Sequence, residues 1–147
     1  MPYSAYVIDE VSRKLILDVF LPQFPEVVAH HVTHRFPDQE PPPIVHNFEV
    51  VGYASNHRLE CLIVRLDGLL DRPGGGVYHI TLSIDREQGA KPVQSNQVIQ
   101  DGWTPLDEPI TITAQPKLLG HFKKPKKQQE SFEDTVSPKP GSLEADR

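Results

Sequence analysis

Two short stretches of the chain each place a histidine two residues before a threonine: His31-Val32-Thr33-His34 and His79-Ile80-Thr81-Leu82. Each lies in a run rich in β-branched and aromatic residues, 29–36 and 77–84, that reads as a strand. Side chains alternate across a strand, so each imidazole shares a face with its hydroxyl, about 6–7 Å away along the backbone. Two such couples facing one another would set two titratable bases and two hydroxyls around one small anion. That set suits in-line displacement at a phosphodiester: one imidazole takes the nucleophile's proton and the other protonates the leaving oxygen. Imidazole fits both tasks because its ordinary pKa is about 6.5. Thr33 and Thr81 would donate to the non-bridging oxygens, where charge grows in the transition state. The residues themselves do not distinguish acid from base.

The elements that must position these residues follow from periodicity and punctuation. Residues 3–8 read as a strand and Asp9 as a helix cap. Val11, Leu15, Ile16, Val19 and Phe20 recur at helical spacing and predict an apolar stripe over 11–20, stopped by Pro22 and Pro25. Residues 27–36 form the first motif strand, followed by Pro37 and the stiff run Pro41-Pro42-Pro43. Residues 44–54 and 59–66 read as a hairpin around 55–58, and 67–76 as turn and loop material. Residues 77–84 form the second motif strand, with Tyr78, Ile80, Leu82 and Ile84 on an apolar face and His79, Thr81 and Ser83 on a polar one. A short helix opened by Pro92 runs to about Gln100, and Ile110 to Ala114 alternate as a last strand. Hairpins mixed with single helices predict an α+β fold with mainly antiparallel sheets.

Composition divides the chain into a folded body over 1–121 and a polar tail over 122–147, read as disordered because its apolar residues are few and show no period. The body carries nine Lys/Arg against fifteen Asp/Glu, which argues against a broad grip on a long polynucleotide. A small or single-ended nucleotide remains compatible. The tail's basic cluster (Lys123, Lys124, Lys126, Lys127) reads as a solvated linker, with nucleic-acid contact or a transport signal as the competing readings. Cys61, the only cysteine, excludes an intramolecular disulfide and reads as a buried thiol. No apolar run approaches 18 residues and no signal pattern opens the chain, so a soluble, cytoplasmic protein without membrane contact is expected.

Other candidates compete less well. His30 and His34 have the spacing of helical metal ligands, yet their neighbours favour a strand, in which that spacing spans about 13 Å. No metal and no cofactor are expected. Gly74-Gly75-Gly76 lacks the Lys and Ser/Thr of a phosphate-binding loop and reads as a turn. Tyr53 and Trp103 are candidate platforms for stacking a base, and Arg35, on the face of His31 and Thr33, is a candidate second phosphate contact.

The doubled motif resembles the signature of the two-histidine (2H) phosphoesterase superfamily, in a compact, cyclic phosphodiesterase-like form: two His-x-Thr/Ser-x segments with apolar x positions. The matching residues are His31-Val32-Thr33 and His79-Ile80-Thr81. The layout of residues 3–116 also matches, although His34 stands where the family is usually apolar and the histidines are only 48 residues apart. The resemblance implies a two-lobed fold with a helix per lobe, related by a pseudo-two-fold axis around a central cleft. It implies metal-independent opening or hydrolysis of small phosphodiesters: 2′,3′-cyclic phosphates, 2′–5′ linkages at RNA ends, or cyclic oligonucleotides. His31, Thr33, His79 and Thr81 would be the catalytic residues. The alternative is a module on the same fold that binds a nucleotide or RNA end without turnover. A third reading is an adaptor whose tail holds an unidentified partner.

Overall fold

The computed structural model describes residues 1–120; the tail expected over 122–147 lies outside the described residues. Strand β1 (Tyr3–Ile8) runs into helix α1 (Glu10–Val19), and the Ser12 amide donates to the Asp9 side chain at 2.7 Å as the expected cap. Short β2 (Glu26–Val27) and β3 (His31–Arg35) follow, then β4 (Phe48–Ser55), β5 (Leu59–Leu66) and β6 (His79–Ile84). After two 3₁₀ turns come α2 (Ser95–Gln100), β7 (Thr104–Ile112) and β8 (Ala114–Leu119).

The architecture is α+β, with one open antiparallel sheet in the order β7-β4-β5-β6-β3-β1-β8 and β2 added beside β6. The strands are thus continuous rather than split into separate sheets. The single last strand expected from the sequence is instead two, β7 and β8, which take the opposite edges. Pro105, Pro109 and Pro116 hide them from sequence reading, because proline removes a ladder donor. An edge strand tolerates that loss on its outer side.

Alternation distributes the sheet's apolar side chains between two cores. The first gathers Tyr6, Val32, Val50, Leu62, Val64, Tyr78, Ile80 and Leu82 under Ile16 of α1. The second gathers Ala54, Leu59, Cys61, Ile63 and Ile84 under Val98 and Ile99 of α2. Helix α1 is turned relative to the expected stripe. Ser12 and Ile16 are buried, whereas Val11 (81% exposed), Leu15 and Val19 face outward. The inward side is fixed by polar docking: the Thr113 amide donates to Ser12 Oγ at 2.8 Å, and Arg13 Nε donates to the Ala29 carbonyl at 3.0 Å.

Irregularities in the ladder reset the face assignments. Between β5 and β6 the register jumps from Cys61–Thr81 to Glu60–Ser83, leaving Leu82 as the extra residue. Ile84 therefore joins the second core, and Ser83 leaves the face of His79 and Thr81 to bond Glu60. The β4–β5 ladder jumps likewise at Val51, and at Gly52 the Trp103 ring lies so close that any Cβ would overlap it.

Candidate active site

The two His-x-Thr segments are brought together by direct pairing of β3 with β6. Val32 opposes Ile80 in an antiparallel ladder, and both side chains enter the first core. Alternation then sends His31, Thr33, His79 and Thr81 to the other face. An antiparallel pair has a local two-fold axis through its paired residues, and this one exchanges His31 with His79 and Thr33 with Thr81. The charge of His79 reaches the first motif, where it contributes to depressing the basicity of His31. Pairing continues from Val32–Ile80 towards Ala29 and Val28, whose amides donate to the Thr81 and Leu82 carbonyls at 2.9 Å. It stops on the other side, where Thr33 and His79 would be the next partners.

His79 is 8% exposed, and its Nδ1 lies 2.7 Å from the Val77 carbonyl oxygen. A carbonyl only accepts, so that nitrogen carries the proton and Nε2 carries the lone pair in the neutral ring. Nε2 has no partner among the described residues, and the one buried side-chain nitrogen or oxygen without a partner there is Arg58 Nε. Nε2 of His79 therefore opens to solvent. His31 is partly exposed, its Nδ1 lies 3.0 Å from His30 Nδ1, and its ring lies 5.7 Å from that of Tyr3. Thr33 is partly exposed. Thr81, 9% exposed, shares a hydrogen bond of 2.9 Å with Ser95 at the start of α2. Ser95 also contacts the Cys61 thiol, which burial pushes up to about 12 and so keeps protonated. Either hydroxyl of the Thr81–Ser95 pair can donate; when Ser95 does, the Thr81 proton is left free to point outward.

The remaining candidates separate. Tyr53 is on the other face of the sheet: its ring stacks on Phe20 and its hydroxyl donates to Glu60 at 2.5 Å, both on the first-core side. Trp103 packs over Gly52 on β4, two strands from β6 and thus about 10 Å across the sheet. Arg35 does not stay with His31 and Thr33. The β1–β3 register skips His34 and pairs Arg35 with Ser4, and its charge acts on His34 and Asp38. His34 is buried against Tyr6 and Tyr78 with Nδ1 3.1 Å from Ser4 Oγ, so it belongs to the first core. Among the described residues no three His, Cys, Asp or Glu side chains group as metal ligands.

Sequence reading missed Arg72. Its Nε donates to the Gly75 carbonyl at 3.0 Å and its Nη2 to Asn96 Oδ1 at 3.1 Å. Its charge acts on His79. Gly76, at φ +89°, gives Arg72 close passage: a Cβ there would lie 3.2 Å from Nε. The available signal was an arginine opening the Arg72-Pro73-Gly74-Gly75-Gly76 loop, whose carbonyls turn inward to hold it.

Burial holds four histidines below their ordinary pKa. His31 is pushed down to about 3, first by desolvation and then by His30 and His79. His79 is lowered by desolvation, with the Val77 carbonyl opposing and Arg72 adding to the shift. His30 and His34 are lowered by desolvation, then by Arg13 and Arg35 respectively. The unfolded chain thus binds protons that the folded protein refuses, so stability is full above about pH 6.5 and falls as pH drops through that value. Asp9 and Asp38, held below the usual carboxylate range by bonds from Thr113 and Ser4, extend the loss below about pH 4. The urea midpoint is expected to fall between pH 7.5 and 5; a flat midpoint there would contradict the neutral, buried imidazoles.

Comparison with known protein families, curated protein sequences and solved structures finds no match to this chain.

Proposed function

We propose that this chain is a metal-independent phosphodiesterase acting on small nucleotide or RNA-end phosphodiesters by two-histidine acid–base catalysis. The carrying observation is the Val32–Ile80 pairing, which sets two His-x-Thr couples on one face about a local two-fold. In this reading β3, β1 and β8 form one lobe, β4 to β7 form the other, and the substrate phosphate sits in a groove where β3 and β6 part. His31 and His79 move the protons, Thr33 and Thr81 donate to the non-bridging oxygens, and Arg72 supplies a cation beside His79. Nη1 of Arg72 has no partner among the described residues and is available to a phosphate oxygen.

A second reading, a nucleotide-binding module without turnover, is favoured by one observation: His79 and Thr81 are only 8% and 9% exposed. One screen separates the two. The protein is incubated with 2′,3′-cyclic nucleotides, 2′–5′ oligoadenylates and cyclic di- and trinucleotides in the presence of EDTA. Metal-independent product from at least one class is expected. Calorimetric binding without product would select the module, and neither binding nor product would end both readings.

A further inference from the structure

We propose that His30 and His31 share one proton as a dyad that loads His31 as the general acid and leaves His79 as the base. The assignment rests on the phosphodiesterase reading above and removes the ambiguity that the doubled motif leaves.

The two motif histidines differ at the nitrogen that faces the protein. His79 Nδ1 meets a carbonyl, which fixes its proton in place. His31 Nδ1 meets a second imidazole nitrogen, His30 Nδ1, at 3.0 Å. Two lone pairs repel at that distance, so a proton lies between the rings. In the neutral resting dyad that proton lies on one Nδ1; uptake of one more proton, with both Nε2 atoms then protonated, gives the acid form, a single positive charge spread over a recessed ring and an exposed one. Burial depresses the basicity of His31 and the charge of His30 adds to that depression, so the extra proton of the acid form rests on exposed His30 and reaches the leaving oxygen through His31.

The contact lies beside an anchored irregularity of the backbone. Neighbouring residues on a regular strand point to opposite faces, so His30 and His31 would not meet. They meet at the start of β3, just after the chain is kinked at Ala29, whose φ is +42°. Positive φ in a non-glycine residue costs on the order of 1–3 kcal/mol and persists only where the surroundings hold it. Here the Ala29 amide donates to the Thr81 carbonyl at 2.9 Å, Arg13 Nε donates to the Ala29 carbonyl at 3.0 Å, and the Ile8 amide donates to the His30 carbonyl at 3.1 Å. The anchor on Thr81 ties the dyad directly to the second motif. Arg13 from α1, Tyr3 from β1 and His79 from β6 are the other charged or titratable groups around the dyad.

The step balances. As the P–O bond breaks, its electron pair goes to the leaving oxygen, which takes the Nε2 proton of His31. The bridging proton passes from His30 Nδ1 to His31 Nδ1, and both rings end neutral. His79 Nε2 has meanwhile accepted the proton of the attacking hydroxyl or water. Loss of that proton to solvent, and uptake of one at His31 Nε2 with return of the bridging proton, restores the starting state.

The test uses the full chain and its His30→Phe variant, which keeps a ring but no nitrogen. In ¹⁵N imidazole spectra, wild-type His31 is expected with its proton on Nε2 and Nδ1 as acceptor, and His79 with its proton on Nδ1. His30→Phe should abolish the first pattern and leave the second. A wild-type His31 with its proton fixed on Nδ1, indifferent to His30→Phe, overturns the dyad whether or not the protein has activity. In turnover, His30→Phe is expected to slow a diester with a ribose leaving group by about 10²-fold, the scale of one proton transfer. It should spare a p-nitrophenyl nucleotide ester, whose leaving group needs no proton. Equal slowing of both esters with unchanged circular dichroism overturns the acid assignment. No wild-type turnover of any diester sinks the enzymatic reading instead, and the spectra still decide the dyad.

Discussion

Alanine at position 79 is expected to lower turnover by about 10²–10⁴-fold, because in the proposed mechanism it removes the base that takes the nucleophile's proton. The loss should fall on kcat, since a group acting only as the proton moves contributes little to ground-state binding. The structure fixes the direction of the accompanying pH effect. His79 titrates below its ordinary value because burial penalises its cation. The lone-pair form needed in a base is therefore the resting form at neutral pH, and activity should rise with pH through an inflection below about 6.5. His79→Asn, which retains a polar group without a titrating one, should lose that inflection along with the rate. Activity of His79→Ala within a few-fold of wild type, in a protein with native circular dichroism, would remove His79 from the chemistry.

Glu60→Ala is expected to be the most damaging substitution for stability away from the site. Glu60 is 1% exposed, and its carboxyl oxygens accept from Tyr53 Oη at 2.5 Å, Ser83 Oγ at 2.5 Å and the Gln23 amide at 2.7 Å. Ser83 Oγ in turn accepts from the Phe24 amide at 3.2 Å. This knot ties the segment after α1 to β4, β5 and β6. Alanine strands three donors, at about 1–3 kcal/mol for each one left buried. A total of at least about 3 kcal/mol, and a melting temperature lower by about 10 °C or more, should follow for a domain of this size. Glu60→Gln keeps one carbonyl acceptor and should fall between. A Glu60→Ala melting temperature within about 2 °C of wild type would mean that water replaces the carboxyl group at no cost.

What could be read from the chain, and what could not, divides along periodicity. That His31 shares a face with Thr33, and His79 with Thr81, needed only the two-residue alternation of a strand, and the Asp9 cap needed only a local rule; that the two couples share one face comes from the β3–β6 pairing. The errors lie where the alternation slips. An extra residue at His34 turns Arg35 away from the histidine pair, and one at Leu82 moves Ser83 and Ile84 to opposite faces. No pattern within one strand reports such a slip, because it is defined by the neighbour. Tyr53 was lost for a related reason: its face depends on the slip at Val51. The orientation of α1 follows Ser12 and Arg13, which reach backbone groups of Thr113 and Ala29 in the links between strands, against the direction of its apolar spacing. Arg72 escaped notice because its importance comes from the charge it brings beside His79, which is distant from it in any motif.

The prolines on the two outermost strands bear on how the molecule behaves in crowded solution. An open sheet ends in rows of unpaired amides and carbonyls that can template growth by a second chain. Pro105 and Pro109 on one rim, and Pro116 on the other, delete donors from those rows. Each rim is thereby a poor seed for fibrils, and the fold can keep an unclosed sheet without recruiting its own copies.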